Sequence, residues 1–263
     1  MEMHRQSSKQ NLPIDRSITQ PASSTIAVVI PTLNEQATLA RTLSSLHEQS
    51  TLANRIVVVD GGSTDHTLAI AQLWGVELVT VTNPGRGSQI VAGLQRVREA
   101  VVVISHADMI FPPDALSRIC RYMEEHPRCP GGSLGHRFDS NRWIYRVIEW
   151  FDARRARHGY SYGDQAQFFR PELLAAVGGF PSPPIMEDVE LAACLRRLGK
   201  PGYLNCPVTV SPRRFEQRGI LRTLWQNWQF RRAYRRDGTA AIHSIYHRYY
   251  SKPEGSATEH HPQ

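Results

Sequence analysis

Three groups of acidic and basic side chains stand where short apolar runs give out. Asp108, with His106 two residues before it and Ala107 between, follows the run Ala100-Val101-Val102-Val103-Ile104. Asp60 closes the strand-like run Arg55-Ile56-Val57-Val58-Val59 and is followed by Gly61-Gly62-Ser63-Thr64-Asp65. Glu187, Asp188 and Glu190 fall directly after the proline-rich segment Pro181-Ser182-Pro183-Pro184-Ile185. A strand-tip carboxylate can hold Mg²⁺ or Mn²⁺, since these cations are commonly bound by one or two carboxylates together with substrate phosphates. A carboxylate fixed at a helix start can take the proton of an attacking hydroxyl. Plainer readings compete. Asp108 can cap a helix beginning near Pro112-Pro113, and acids in a first helical turn are favourable with the helix dipole.

The rest of the sequence supplies elements to carry these groups. Ile26-Ala27-Val28-Val29-Ile30 reads as a buried strand stopped at Pro31-Thr32, and Asn34-Glu35 open a helix with Leu39, Leu43 and Leu46 on one face. The Asp60 strand leads into a helix from Ser63-Thr64-Asp65 through Leu73. A third strand covers 76–81, and Gly85-Arg86-Gly87 precedes a helix to about Glu99. Apolar strands alternating with helices predict a parallel, right-handed, Rossmann-like α/β half over residues 25–108, with helices on both faces. Ligands of such sheets gather beyond the carboxyl ends of the strands, where Glu35, Asp60, Asp65, Arg86 and Asp108 would meet. On an extended chain His106 and Asp108 would point the same way.

After Asp108 the alternation breaks down, and residues 109–240 are expected to form a second, less regular half with helical C-terminal additions. A helix is predicted over 113–126, an irregular strand over 131–138, and a helix over 141–157. On that helix Ile144, Val147, Ile148 and Phe151 make a core stripe, while Trp143 and Trp150 either join the core or face an acceptor or lipid. Residues 163–170 read as a turn and strand, Met186 to Leu198 as a helix, and 203–210 as a strand ending at the basic tip Arg213-Arg214. A last helix, 217–237, has Ile220, Leu221, Leu224, Trp225 and Trp228 as its apolar face and carries Arg231, Arg232, Arg235 and Arg236. Residues 1–24 and 251–263 are polar and expected to be disordered.

A net charge of +7 favours anionic partners such as nucleotides, phosphates or an acidic membrane surface, and by itself leaves nucleic acid open. Cys120, Cys129, Cys194 and Cys206 form no C-x-x-C pair, which argues for reduced core thiols rather than zinc or a disulfide framework and suits a cytoplasmic protein. No apolar run is long enough to span a bilayer, so membrane contact would be peripheral. A G-x-G-x-x-G after the first strand and a Walker loop are both missing, which disfavours dinucleotide dehydrogenases and P-loop enzymes.

Taken in order, Val29-Ile30-Pro31-Thr32-Leu33-Asn34-Glu35, Val58-Val59-Asp60-Gly61-Gly62-Ser63-Thr64-Asp65, His106-Ala107-Asp108, Gly163-Asp164-Gln165 and Glu187-Asp188 resemble the motifs of family 2 glycosyltransferases. The H-A-D tip and the M-E-D-V-E-L helix resemble a compact bacterial subgroup. The resemblance implies a GT-A fold over residues 25–240, with 25–108 as the nucleotide-binding half and 109–240 as the acceptor and catalytic half, and an inverting, metal-assisted transfer of a sugar from a nucleoside diphosphate to an acceptor hydroxyl. Pro31, Thr32 and Glu35 would line the nucleotide pocket, Asp60 would bind the base, and Asp65 and Arg86 would help hold the diphosphate. His106, Ala107, Asp164 and Gln165 fall in motifs of the sugar-nucleotide site. Asp108 would hold Mn²⁺ or Mg²⁺, and Asp188 would be the base with Glu187 beside it. His106 departs from the D-x-D pattern, which puts a direct carboxylate contact to the ribose or sugar in doubt.

Arg213 and Arg214 either add positive charge to the diphosphate or form a solvated basic turn. The implied partners are a sugar nucleotide and an acceptor that could be lipid-linked, reached from the cytoplasm at the inner membrane face; nucleic acid is not expected. Two other classes stay open. A sugar-phosphate nucleotidyltransferase would be expected to carry a lysine in a glycine-rich first loop, which Pro31-Thr32-Leu33-Asn34-Glu35 lacks. A non-catalytic sugar-nucleotide or membrane-surface binding protein would need no placed base.

Overall fold

The computed structural model describes residues 25–82, 85–181, 183 and 186–237. The two termini expected to be disordered lie outside the described residues. Four parallel strands, β1 (Ile26–Thr32), β2 (Arg55–Asp60), β3 (Glu77–Thr80) and β4 (Val101–Ile104), lie in the order β3-β2-β1-β4. Their side chains alternate between two cores, as a period of two requires. Val28, Ile30, Val58, Val101 and Val103 meet Leu39, Leu43 and Leu46 of α1 (Leu39–His47) on one face. Ala27, Val29, Val57, Val59, Val102 and Ile104 face Ile90 of α3 (Arg86–Leu94) on the other. Helix α2 (Thr67–Leu73) follows β2. Gly93 lets α3 approach the sheet closely: a Cβ there would lie 2.5 Å from Val29 Cγ1 and 2.9 Å from Val59 Cγ2.

The second half is mixed. Strands β5 (Met109–Ile110), β6 (Gly131–Phe138), β7 (Gln167–Phe169) and β8 (Gly202–Val210) extend the sheet in the order β4-β7-β6-β8-β5. β7 runs antiparallel to both β4 and β6, whereas β6 and β8 are parallel. The reversal at β7 matters for the site. Val103 pairs with Phe168, so the 3₁₀ turn Gly163–Gln165 that precedes β7 lies at the carboxyl end of β4. The helices here are α4 (Ala115–Glu125), α5 (Trp143–Ala156), α6 (Pro171–Ala175), α7 (Glu187–Leu198), α8 (Arg213–Arg218) and α9 (Ile220–Asp237).

Several boundaries differ from the sequence reading. α3 ends at Leu94 rather than near Glu99, and Arg213-Arg214 open a short helix rather than a bare tip. On α5 the buried residues are Tyr145, Ile148 and Ala156. Val147 and Phe151, expected in the core, are exposed, as are Trp143 and Trp150. On α9 Ile220 and Leu224 pack against the core, while Leu221, Trp225 and Trp228 are exposed. α5 and α9 flank an open cleft, which Phe151 of α5 and Leu224 and Phe230 of α9 line. The four cysteines are free and buried, as expected. Among the described residues no helix is long and apolar enough to cross a membrane.

Candidate active site

A cleft of about 660 Å³ opens at the strand tips. It is lined by Arg86 at the start of α3, His106 and Asp108 after β4, Gly163 and Asp164 in the 3₁₀ turn, Glu187 and Asp188 at the start of α7, and Arg213 and Arg214 at the start of α8. Residues far apart in sequence thus meet on one surface. β4 stops at Ile104, so His106 and Asp108 reach the cleft not from an extended strand but from a turn in which the Met109 N–H meets the His106 carbonyl at 3.4 Å. Asp114, not Asp108, holds the N-cap position of α4. Helix capping therefore does not account for Asp108.

Beside the cleft the loops after β1 and β2 are laced together. Asp60 is buried, and its carboxylate accepts from the N–H groups of Gly62 and Ser63, both at 2.8 Å, and from the hydroxyls of Ser63 and Thr32. The Thr32 hydroxyl is 3.4 Å from both Asp60 Oδ1 and the Val59 carbonyl and shares its proton between them. Asp60 thus helps to build the loop after β2. Asp65 accepts from Thr67 and from the Gln36 N–H, and these hydrogen bonds hold it below the usual carboxylate range against the opposing effect of burial. Gln89 Nε2 donates to the carbonyls of Thr32 and Val59, each at 2.8 Å, and fixes both strand ends to α3.

Glu35 ties this lattice to the cleft. Its two oxygens lie 3.0 and 2.8 Å from Arg213 Nη2, which is also 3.8 Å from Asp108 Oδ2. Burial pushes the Asp108 carboxyl up, with Glu35 adding to the effect and Arg213 and Arg86 opposing it.

Opposite them lies a tighter cluster. Arg86 Nε is 2.8 Å from Glu187 Oε1, and Arg86 Nη1 is 3.4 Å from His106 Nδ1. Burial, and then the charges of Arg86 and Arg214, hold His106 well below its usual pKa, so the ring is neutral. With Arg86 donating to Nδ1, the ring proton is assigned to Nε2. His106 Nε2 and Arg86 Nη2 are buried and have no hydrogen-bond partner among the described residues. Glu187 is buried, and desolvation together with the adjacent Asp188 pushes it up to about 7 despite Arg86. Asp188 Oδ2 accepts the Gly163 N–H at 2.6 Å and Oδ1 accepts the Val189 N–H at 2.8 Å. The helix-start role foreseen for this acid is therefore real, and it also anchors the Gly163 turn.

Among the described residues three non-glycine residues have left-handed backbones: Asn34, Ala166 and Met186. Each abuts a site segment, next to Glu35, after the Gly163–Gln165 turn and before Glu187. For Ala166 and Met186 this conformation costs roughly 1–2 kcal/mol each. Strain of this kind persists where the surrounding structure fixes it.

The family model described as glycosyl transferase family 2 matches residues 27–178, more than half of the chain. The chain belongs to glycosyl transferase family 2. It is 28% identical over 165 residues to an undecaprenyl-phosphate 4-deoxy-4-formamido-L-arabinose transferase of Pseudomonas paraeruginosa, covering 58% of this chain and 49% of that protein. The chain thus spans about half the length of that relative. Among solved structures it resembles the mannosyltransferase PcManGT from Pyrobaculum calidifontis in complex with GDP-Man and Mn²⁺, with TM-score 0.62 and 23% identity over 86% of this chain and 70% of the other. S. aureus TarS 1-349 in complex with UDP-GlcNAc gives TM-score 0.60 at 18% identity over 71% of this chain and 58% of the other. These likenesses show the fold, which is the GT-A glycosyltransferase architecture.

Of the residues singled out from sequence, the structure brings Arg86, His106, Asp108, Asp164, Glu187, Asp188, Arg213 and Arg214 onto the cleft. Pro31, Thr32, Glu35, Asp60 and Asp65 lie in and after the ends of β1 and β2, joined to the cleft through Arg213. Two residues turn inward. Ala107 sits in the core with its carbonyl accepting the Thr42 hydroxyl at 2.8 Å. Gln165 is fully buried, its Oε1 accepting the Tyr162 N–H at 3.1 Å. Gly163, named in the sequence only as part of the Gly163-Asp164-Gln165 motif, lies against the site groups themselves. A Cβ there would lie 2.8 Å from His106 Nε2, 3.2 Å from Arg86 Nη2 and 3.3 Å from Asp188 Oδ2. Its signal was its place at the head of the Gly-Asp-Gln turn. Asp152 and His136 went unnoticed, and no local motif marks them.

Proposed function

We propose that this glycosyltransferase moves a sugar from a nucleoside diphosphate to an acceptor hydroxyl by single displacement with inversion, assisted by Mn²⁺ or Mg²⁺. The observation that carries the reading is the convergence on one cleft of three arginines, Arg86, Arg213 and Arg214, with the strand-tip acid Asp108 and the helix-start acid Asp188. Asp108 suits a divalent cation: its carboxylate is largely buried yet lines the cleft, and a bound cation would offset the cost of keeping it ionised there. When bound, such an ion neutralises charge on the departing diphosphate. Arg86, held by Glu187, would give its partnerless Nη2 to the leaving group, and neutral His106 would offer Nε2–H as a donor without adding charge. Asp188 takes the acceptor proton. That role requires Oδ2 to exchange the Gly163 N–H for the hydroxyl or to accept both. Complexes of similar folds with GDP-Man and Mn²⁺ and with UDP-GlcNAc agree with this reading.

The test is a thermal-shift screen of UDP- and GDP-sugars with and without Mn²⁺, because a ligand specific to the folded state raises the melting temperature. A metal-dependent shift for at least one donor is expected. No shift with any donor, in a protein that melts cooperatively, would remove the donor assignment.

The acceptor we propose is lipid-linked and met from the cytoplasm at the inner membrane face, in keeping with the name of the Pseudomonas relative. Trp143, Trp150, Trp225 and Trp228 are exposed on the two helices that flank the cleft. Arginines near an anionic surface each add about 1 kcal/mol of attraction. Co-sedimentation with anionic vesicles at low salt is expected; equal recovery with neutral and anionic vesicles would count against it.

A further inference from the structure

The wall of the cleft built by α5 and β6 holds a second polar cluster that the transfer chemistry above does not use. His136 projects from β6 beside the register shift between Leu134 and His136, with 1% of its side chain exposed. Asp152 comes from α5 and Asp164 from the 3₁₀ turn, and both line the cleft. His136 Nε2 is 3.7 Å from Asp152 Oδ2, and Nδ1 is 4.0 Å from Asp164 Oδ2. Both separations are too long for hydrogen bonds. Both ring nitrogens and Asp164 Oδ1 are buried without a hydrogen-bond partner among the described residues. A buried imidazole facing two carboxylates with nothing satisfied between them is what a protein normally avoids. Arg155 pairs with Asp152 through Oδ1, which leaves Oδ2 turned to the histidine.

We propose that His136, Asp152 and Asp164 bind a divalent transition-metal ion, separate from Asp108. One ligand atom from each of the three lies within 4.8 Å of the others. Ligand atoms about 2.0–2.2 Å from a common ion stand some 3–4 Å apart, so a small inward movement completes the set. One imidazole nitrogen with two carboxylates suits Zn²⁺ or Mn²⁺ better than Mg²⁺ or Ca²⁺, which prefer all-oxygen surroundings. Because the histidine is buried and the two acids line the cleft, the remaining coordination positions face the cleft and are free to take a hydroxyl or phosphate oxygen. That last role, anchoring the acceptor, rests on the glycosyl-transfer reading; the binding of the ion does not.

The experiment reads metal binding on the full chain without nucleotide, by calorimetry with Zn²⁺ alone and by electron spin echo of Mn²⁺ alone. Expected are uptake retained in Asp108→Ala, at least about tenfold weaker binding in His136→Gln and in Asp164→Asn, and a ¹⁴N coupling from imidazole that disappears in His136→Gln. Asp164 is the more exposed ligand, so its variant keeps the test open if the His136 variant does not fold. Absence of uptake without nucleotide would overturn the proposal. So would uptake lost in Asp108→Ala but kept in Asp164→Asn, or a Mn²⁺ signal without ¹⁴N coupling.

Discussion

Arg86 and Glu187 form an ion pair, Nε to Oε1 at 2.8 Å, that joins the start of α3 to the start of α7 at the floor of the cleft. Neither end is free of other demands. Arg86 also faces the His106 ring, and Glu187 sits next to Asp188 in a buried position that disfavours its charge. The pair therefore couples the basic group proposed to meet the leaving diphosphate to the acid beside the proposed base.

A donor diphosphate would add negative charge near Glu187 and draw on Arg86, so the carboxyl, already raised to about 7, should rise further. Donor binding at pH 7 is then expected to take up a fraction of a proton, read by calorimetry in buffers of different ionisation enthalpy and lost in Glu187→Gln. The same group shapes stability. A carboxyl raised from 4.5 to about 7 contributes fully below the unfolded value, and this contribution is lost as pH rises through 7, with a size of about 3 kcal/mol. Denaturant titrations should show the native protein losing stability between pH 4.5 and 7.5, with the slope reduced in Glu187→Gln. A slope unchanged by the substitution would assign the pH dependence elsewhere.

Gly163→Ala places a methyl group 2.8 Å from His106 Nε2 and within 3.3 Å of Arg86 and Asp188. The backbone there has no need of glycine for its own sake, since the turn is a 3₁₀ helix in ordinary dihedral space. The expected result is turnover reduced by about tenfold to a hundredfold from displaced site groups, with a melting temperature lowered by only a few degrees. Wild-type turnover in the alanine variant would show that the three side chains need not stay where they are.

Gly93→Ala tests the fold rather than the site. Alanine favours a helix over glycine by about 1 kcal/mol, but its methyl would meet Val29 and Val59, both fully buried and stiff at χ1. Overpacking of this kind costs about 1–3 kcal/mol, so a net loss of stability is expected, with donor affinity of the folded fraction unchanged. Increased stability would mean that α3 can back away from the sheet.

The parallel half was legible because its strands are buried on both faces and read as unbroken apolar runs: β2 matches the sequence boundaries Arg55–Asp60, and Leu39, Leu43 and Leu46 all reach the core. The mixed half was harder to read. A strand as short as β7 carries no sign of its direction, yet its antiparallel pairing with β4 sets Gly163 beside His106. On α5 the apolar stripe promised more burial than it has: Val147 and Phe151 share its periodicity yet are exposed, since periodicity marks an apolar face without saying what covers it. Asp60 stands out in the sequence as a strand-tip acid, but that its carboxylate accepts from its own loop depends on the Gly62 and Ser63 N–H groups, which no sequence displays.

Asp188 separates the catalytic reading from the structural one. Its two oxygens accept the N–H groups of Gly163 and Val189, and an asparagine can accept through one oxygen only, so Asp188→Asn must turn its amide against one of these donors. That loss costs roughly 1–3 kcal/mol of stability if the donor stays buried and unpaired, visible as a lower melting temperature. If Asp188 also takes the acceptor proton, turnover should fall by about 10²- to 10⁴-fold while the donor still binds. The structural effect alone predicts a different pattern: activity per folded molecule nearly intact, and full recovery at lower temperature. Initial rates measured well below the variant's melting temperature, set beside donor affinity, distinguish the two. Product configuration supplies an independent check, because single displacement inverts the anomeric centre, and a product with retained configuration would remove Asp188 from the role of base whatever the rate of the asparagine variant.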